Sequence, residues 1–167
     1  PRIRSALRDL RRDAVLDAAA ELAAARGWKA VRMEDIASNA GVSRRSVFNE
    51  FGSKAGVLDA LAWRNTNRLL SGAAKAMKVH TDNVAAAIAA ATEYVLTHAA
   101  EDPLHQRALA GQTGAPDEML TVLTTQSGRF LKVATTFLTF YARRHWQQLH
   151  ADEAQLQFAI ESLLRLL

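Results

Sequence analysis

The feature that most restricts this chain is the run Ile36-Ala37-Ser38-Asn39-Ala40-Gly41-Val42-Ser43, set between two short apolar-periodic stretches. Two helices that meet across a tight turn need particular residues at particular offsets. Ala37 is small, which lets the second helix cross close to the first. Gly41 takes the positive φ that a sharp bend demands. Val42 plugs the gap between the helices, and Ser43 supplies a hydroxyl N-cap for the second of them. The spacing predicts a helix-turn-helix unit. Its second helix, over 44–50, can enter a DNA major groove with its N-terminal half.

The rest of the chain reads as helix as well. Leu7, Leu10, Ala14, Val15, Ala18, Ala19 and Leu22 recur at three and four and predict a first helix, which Gly27 ends. Met33, Ile36 and Ala37 give the inner face of a short helix over 33–39. Phe51-Gly52 breaks the second helix of the pair. Ser53 then caps a long helix reaching about residue 79. After a break over 80–82, with Thr81 or Asp82 as the cap, an alanine-rich helix follows over 83–100. A short helix starts after Asp102-Pro103, 111–116 is a loop, and a long helix covers 117–145 with a bend near Ser127-Gly128. The last helix runs from Glu153 to the end. No alternating strand pattern persists. The expected fold is all-α: an N-terminal three-helix helix-turn-helix DNA-binding domain over 1–53, joined by a long helix to a C-terminal helical domain over 54–167 for dimerisation and effector binding.

Charge supports that division. Residues 1–54 hold eleven Lys and Arg against seven Asp and Glu, a surplus of +4 that equals the net charge of the whole chain. The first third alone is cationic, as expected of a segment that meets phosphates. There is no cysteine, so disulfides, thiolate metal sites and a cysteine nucleophile are excluded. No apolar run approaches the roughly 20 residues of a membrane-spanning helix, and no signal-peptide pattern opens the chain. A cytoplasmic location is expected. The chain starts without Met and stops inside the apolar run Leu163-Leu164-Arg165-Leu166-Leu167, the pattern expected of part of a longer protein.

One pattern is far more specific. It comprises Arg12, Val15-Leu16, Ala18-Ala19 and Leu22; then Gly27-Trp28, Val31, Met33, Ile36-Ala37 and Ala40 to Ser43; then Ser46-Val47-Phe48, Phe51, Ser53-Lys54 and Val57-Leu58. Over about residues 8–60 this resembles the DNA-binding domain of the TetR family. The resemblance implies a dimeric regulator that reads a double-stranded DNA operator and responds to a small-molecule effector. Four positions depart from it: Arg32 stands where the family has Thr or Ser, Phe48 where it has Tyr, and Asn49 and Glu50 near where His or Tyr is frequent.

Residue chemistry assigns the expected DNA contacts. Arg44 and Arg45 lie on the first turn of the reading helix, where a guanidinium can bond guanine O6 and N7 together. Ser43 caps that helix, Ser46 can touch a base or phosphate, and Asn49 can bond adenine. Phe48 keeps the family's ring without its hydroxyl. The resemblance places Lys54 on a backbone phosphate at a helix N-terminus, and Arg32 could clamp another. Arg2, Arg4 and Arg8 could act as an arm on the flanking DNA. Solvated cations are the plain alternative for each.

In the second domain, Tyr94, His98, Met119, Phe130 and Phe137 are candidates for an effector pocket, beside their plain reading as core. Leu156, Ile160, Leu163 and Leu167 form an apolar stripe expected at a homodimer interface. His98, Glu101, Asp102 and His105 cluster without the spacing of a known metal site, so no metal or cofactor is expected. No phosphate-binding glycine loop, nucleophile–His–acid set or paired carboxylates is found, so no enzyme is expected. A rival reading keeps the helical dimer but lets its DNA head fall out of use, because Phe48 and Glu50 depart from a DNA-facing pattern.

Overall fold

The computed structural model describes residues 2–102, 127–146 and 152–166, and every regular element among them is helical. The elements are α1 (Arg2–Arg26), α2 (Met33–Asn39), α3 (Arg44–Phe51), α4 (Lys54–Met77), α5 (Val84–Glu101), α6 (Ser127–His145) and α7 (Glu153–Leu166), with short 3-10 turns at Trp28–Ala30 and Lys78–His80. The described residues fall into two compact units. One takes in everything up to Asn65 together with residues 99–102, and the other holds Thr66–His98 with α6 and α7.

The first unit is built on one apolar cluster fed by all four of its helices. Val15, Leu16 and Ala19 come from α1, Ile36 and Ala37 from α2, Val47 from α3, and Val57, Leu58 and Leu61 from α4, with Trp28 and Val31 between α1 and α2. Ile36, Val47 and Val57 are fully buried. Each side chain of this kind contributes about 1.5–3 kcal/mol when buried. Because the first turns of α4 help build this core, the unit runs past residue 53 to Asn65. Arg64, also on α4, lies 2.8 Å from Asp17 and 3.6 Å from Asp13, and its guanidinium donates to the Asp13 carbonyl. It ties α4 to α1 at the edge of the cluster.

Two details of α1 stand out. Gly27 ends it, its N–H donating to the Ala23 carbonyl at 2.9 Å. Leu7 and Leu10, part of the apolar period that predicts this helix, are 50% and 66% exposed. The helix begins well before the other three, so its first turns have nothing to pack against within the cluster. The core starts at Val15.

The second unit has its own cluster of Met77, Ala87, Tyr141, Ala142 and Trp146, flanked by Val84, Ala91, Leu138 and Leu156. The cap of α5 is Asn83, whose Oδ1 accepts the Ala86 N–H at 3.0 Å, and not Thr81 or Asp82. Both of those precede the position whose side chain can reach back to the third helical N–H. At α7, Asp152 and Gln155 cap each other reciprocally, at 2.8 and 3.1 Å. Gly72 on α4 leaves room for the Tyr94 ring, which a Cβ there would overlap. The helix expected over 117–145 is described from Ser127, and the short helix after Pro103 and the loop over 111–116 lie outside the described residues.

Candidate nucleic-acid interface

The reading helix is positioned by backbone chemistry at both ends. Gly41 adopts φ +66°, and the Val42 N–H closes the turn on the Ala37 carbonyl at 3.0 Å. Ser43 is extended, and its Oγ accepts the Ser46 N–H at 3.1 Å while sharing a 2.8 Å hydrogen bond with the Ser46 hydroxyl. At the other end the Gly52 N–H donates to the Phe48 carbonyl. Between these caps Val47 is the one fully buried side chain of α3. Arg44, Arg45, Ser46, Phe48, Asn49 and Glu50 are all exposed. Ser53 caps α4 in the same manner, its Oγ accepting the Gly56 N–H at 3.1 Å.

Each expected contact residue has a definite place. The Arg44 guanidinium pairs with Glu34 at 2.8 Å and lies over the Phe48 ring. Both partners are more than half exposed, so the pair contributes well under about 1 kcal/mol and exchanges easily for another anion. Arg45 and Asn49 are exposed and have no partner among the described residues. Ser46 has its hydroxyl engaged by Ser43, which leaves it less free to read a base than the sequence implies. Arg32 is the N-cap of α2, its own N–H donating to the Asp35 carboxylate at 3.0 Å, with an exposed side chain. The Lys54 ammonium donates to the Lys29 carbonyl at 3.3 Å and sits over the Trp28 ring. It is thus partly committed to the turn that joins α1 to α2.

Glu50 is the position whose charge counts against DNA binding. Its carboxylate is paired with Arg12 of α1 at 2.8 Å, and the same guanidinium covers the Phe51 ring at 5.0 Å. The negative charge is therefore balanced locally. Sequence reading missed Arg12 in this role, because the two residues are 38 positions apart and no local spacing links them.

In the second unit, Tyr94 and His98 stack one turn apart on α5, with centroids 3.8 Å apart, and the His98 Nδ1 lies 2.9 Å from the Tyr94 carbonyl. Phe137 is half-buried, 6.4 Å from the Tyr141 ring. Phe130 lies on α6, but its side chain is outside the described residues, as is Met119. The α6 region also holds four buried polar atoms with no hydrogen-bond partner: the hydroxyls of Thr135, Thr139 and Tyr141 and the indole N–H of Trp146. Thr136 between them bonds back to the Lys132 carbonyl in the ordinary way. Burial raises the Tyr141 phenol above its usual value of 10.0.

Leu156 packs on the Tyr141–Trp146 cluster of its own chain, because α7 folds back on α6 there. Ile160 is half-buried, while the Leu163 side chain and Leu167 lie outside the described residues. Phe140 and Phe158, neither expected at an interface, are 65% and 76% exposed. Among the described residues no group of three His, Asp or Glu side chains is placed to hold a metal ion, and no helix is long and apolar enough to cross a membrane.

Comparison with known proteins matches both parts of the chain. Residues 15–61 match the bacterial regulatory proteins, tetR family, and residues 83–167 match the bacterial tetracyclin repressor, C-terminal domain. The chain is 33% identical over 133 residues to the HTH-type transcriptional regulator AlkX of Mycobacterium tuberculosis, a match over 80% of this chain and 62% of that protein. It is 40% identical over 76 residues to the HTH-type transcriptional activator FasR of Mycolicibacterium smegmatis, over 46% of this chain and 35% of FasR. The chain thus spans less than two thirds of the length of either relative. Among solved structures, the repressor AlkX from Dietzia sp., implicated in biodegradation of n-alkanes, superposes with a TM-score of 0.73 at 24% identity, over 93% of this chain and 79% of that one.

Proposed function

Because the chain belongs to the TetR family of bacterial regulatory proteins, we propose that it is a sequence-specific DNA-binding transcriptional regulator. In this reading it sits in the cytoplasm as a homodimer on a palindromic operator and represses until a small apolar or amphipathic effector releases it. One observation carries the DNA part. The cap-anchored helix α3 buries Val47 alone and leaves Arg45 and Asn49 exposed and unpartnered. Arg45, and Arg44 once it leaves Glu34, reads guanine, and Asn49 reads adenine. Ser43 and the ring of Phe48 hold the helix surface in shape. Arg32, Ser46 and Lys54 meet the flanking backbone. The pairing of Glu50 with Arg12 favours a working head over a disused one.

The effector reading rests on the second unit. Tyr94, His98 and Phe137 supply apolar and aromatic surface, and the other two candidates, Phe130 and Met119, lie outside the described side chains. The unpartnered polar atoms of Thr139, Tyr141 and Trp146 favour a ligand with a hydrogen-bonding end, since buried polar groups rarely stay unpaired. The n-alkane context of the Dietzia AlkX is consistent with an aliphatic body. Phe140, Phe158, Ile160, Leu163 and Leu167 are the candidates for the dimer face.

The test is selection from random duplexes at about 150 mM salt, where non-specific phosphate attraction is weak. An inverted repeat is the expected product, and Arg44→Ala/Arg45→Ala abolishes its enrichment. Absence of any enriched sequence, with and without dodecanoate as a trial effector, refutes the reading. Activation instead of repression is favoured only by the name of the FasR relative, and a reporter downstream of the selected repeat separates the two.

A further inference from the structure

Helix α1 is longer than the core that holds it. It is helical from Arg2, and the cluster begins at Val15. Arg8, Arg11, Arg12 and Val15 recur at three and four and so share one face. Arg12 on that face pairs with Glu50 and covers the Phe51 ring, which turns the face toward α3. Where α1 overhangs the core, the same face forms one wall of an open groove of about 490 Å³. Arg8, Arg11 and Arg12 stand on this wall, and Ser46, Asn49 and Glu50 of α3 stand on the other.

The charges in the groove do not balance. Three guanidiniums face one carboxylate, and Arg12 already holds it. Arg8 and Arg11 are exposed and have no partner among the described residues. They are also displayed on a regular helix, about 4.5 Å apart along its axis, rather than on a loose arm. A half-open groove of this kind, bordered by exposed residues of the reading helix, fits an extended polyanion lying beside α3.

We infer that the Arg8–Arg11 face of α1 is a second DNA contact, gripping the phosphodiester backbone next to the base pairs that α3 reads. This rests on the DNA-binding reading above. It differs from that reading in kind, because the arginines of α1 set affinity and register while α3 sets sequence.

The experiment is a salt series of binding isotherms by fluorescence anisotropy. The ligands are the duplex enriched by selection and a scrambled duplex of equal length, and the proteins are wild type, Arg8→Ala/Arg11→Ala, Arg8→Lys/Arg11→Lys and Arg45→Ala. Each lost phosphate contact lowers the slope of log affinity against log salt by about 0.9. The double alanine variant removes four such contacts from the homodimer and should therefore lose about 3.6 from the slope. Wild type should then fall about 150-fold further in affinity than the variant between 50 and 200 mM salt. The preference for the selected duplex over the scrambled one should stay unchanged, and the lysine variant should restore the slope. Arg45→Ala should do the reverse and erase the preference. A wild-type slope in the double alanine variant overturns the α1 contact and leaves the reading by α3 intact. So does a lost preference, or a failure of lysine to restore the slope. If wild type binds neither duplex, the DNA-binding reading fails first.

Discussion

Val47→Ala is the most informative single change in the head. Val47 is 0% exposed and is the one fully buried side chain of α3. Removing two carbons forfeits about 1.6 kcal/mol of transfer free energy at about 0.8 kcal/mol per carbon. The cavity left in the apolar cluster raises the cost to about 2–3 kcal/mol, because such a site collapses only in part. For a chain of this size, where each kcal/mol is worth about 2–4 °C, melting should fall by about 5–10 °C. Circular dichroism at 222 nm gives the melting point, and hydrogen exchange shows whether the amides of α3 lose protection before those of α1. Asn49→Ala is the control. It truncates an exposed, unpartnered side chain of the same helix, so its cost should stay within about 0.5 kcal/mol. A melting point within about 2 °C of wild type for Val47→Ala, with unchanged protection in α3, would refute the claim that one valine anchors the reading helix.

Three further outcomes follow from the geometry. Ser43→Ala removes the acceptor for the Ser46 N–H and should cost about 1 kcal/mol. Ser43→Asp should keep the cap and the melting point but weaken binding to duplex DNA, which separates capping from charge. Gly72→Ala should destabilise by about 1–3 kcal/mol, since the added methyl overlaps the Tyr94 ring. Adding Tyr94→Ala should then cost less than it does alone, and strict additivity of the two in urea midpoints would count against the contact. The Tyr141 phenol is raised by burial, so its contribution to stability is intact below the unfolded value of 10.0 and declines as pH climbs from there toward the folded value. Tyr141→Phe should flatten that alkaline decline in urea midpoints without lowering stability at neutral pH, where it removes an unpartnered hydroxyl.

The head was legible in the sequence because its determinants are local. Gly41 needs its φ, Ser43 reaches its own helix at the third residue, and Ile36, Ala37 and Val47 follow the helical period. Those rules act within a few residues, and the TetR resemblance rests on the same offsets. What the sequence hid acts through space. Glu50 read as a charge opposed to DNA until Arg12 was found beside it. Lys54 read as a free phosphate contact, while its ammonium rests on Trp28 and the Lys29 carbonyl. The apolar period of α1 includes Leu7 and Leu10, yet periodicity cannot say where a helix leaves its neighbours. Leu156 belongs to an interface-like stripe by spacing and to its own chain's core by packing. The polar atoms left without partners around Thr139 and Tyr141 had no signature at all, since a buried hydroxyl looks the same in sequence as an exposed one.

The division of labour within α3 has an evolutionary side. Six of its eight residues are exposed, and the helix is held by its two caps, by Val47 and by Phe51 packed against the core. Substitutions at Arg45 or Asn49 therefore touch none of the packing that keeps the helix in place. On the proposed DNA-binding reading, operator preference can drift, or be reprogrammed in the laboratory, through these surface positions while the scaffold stays as it is.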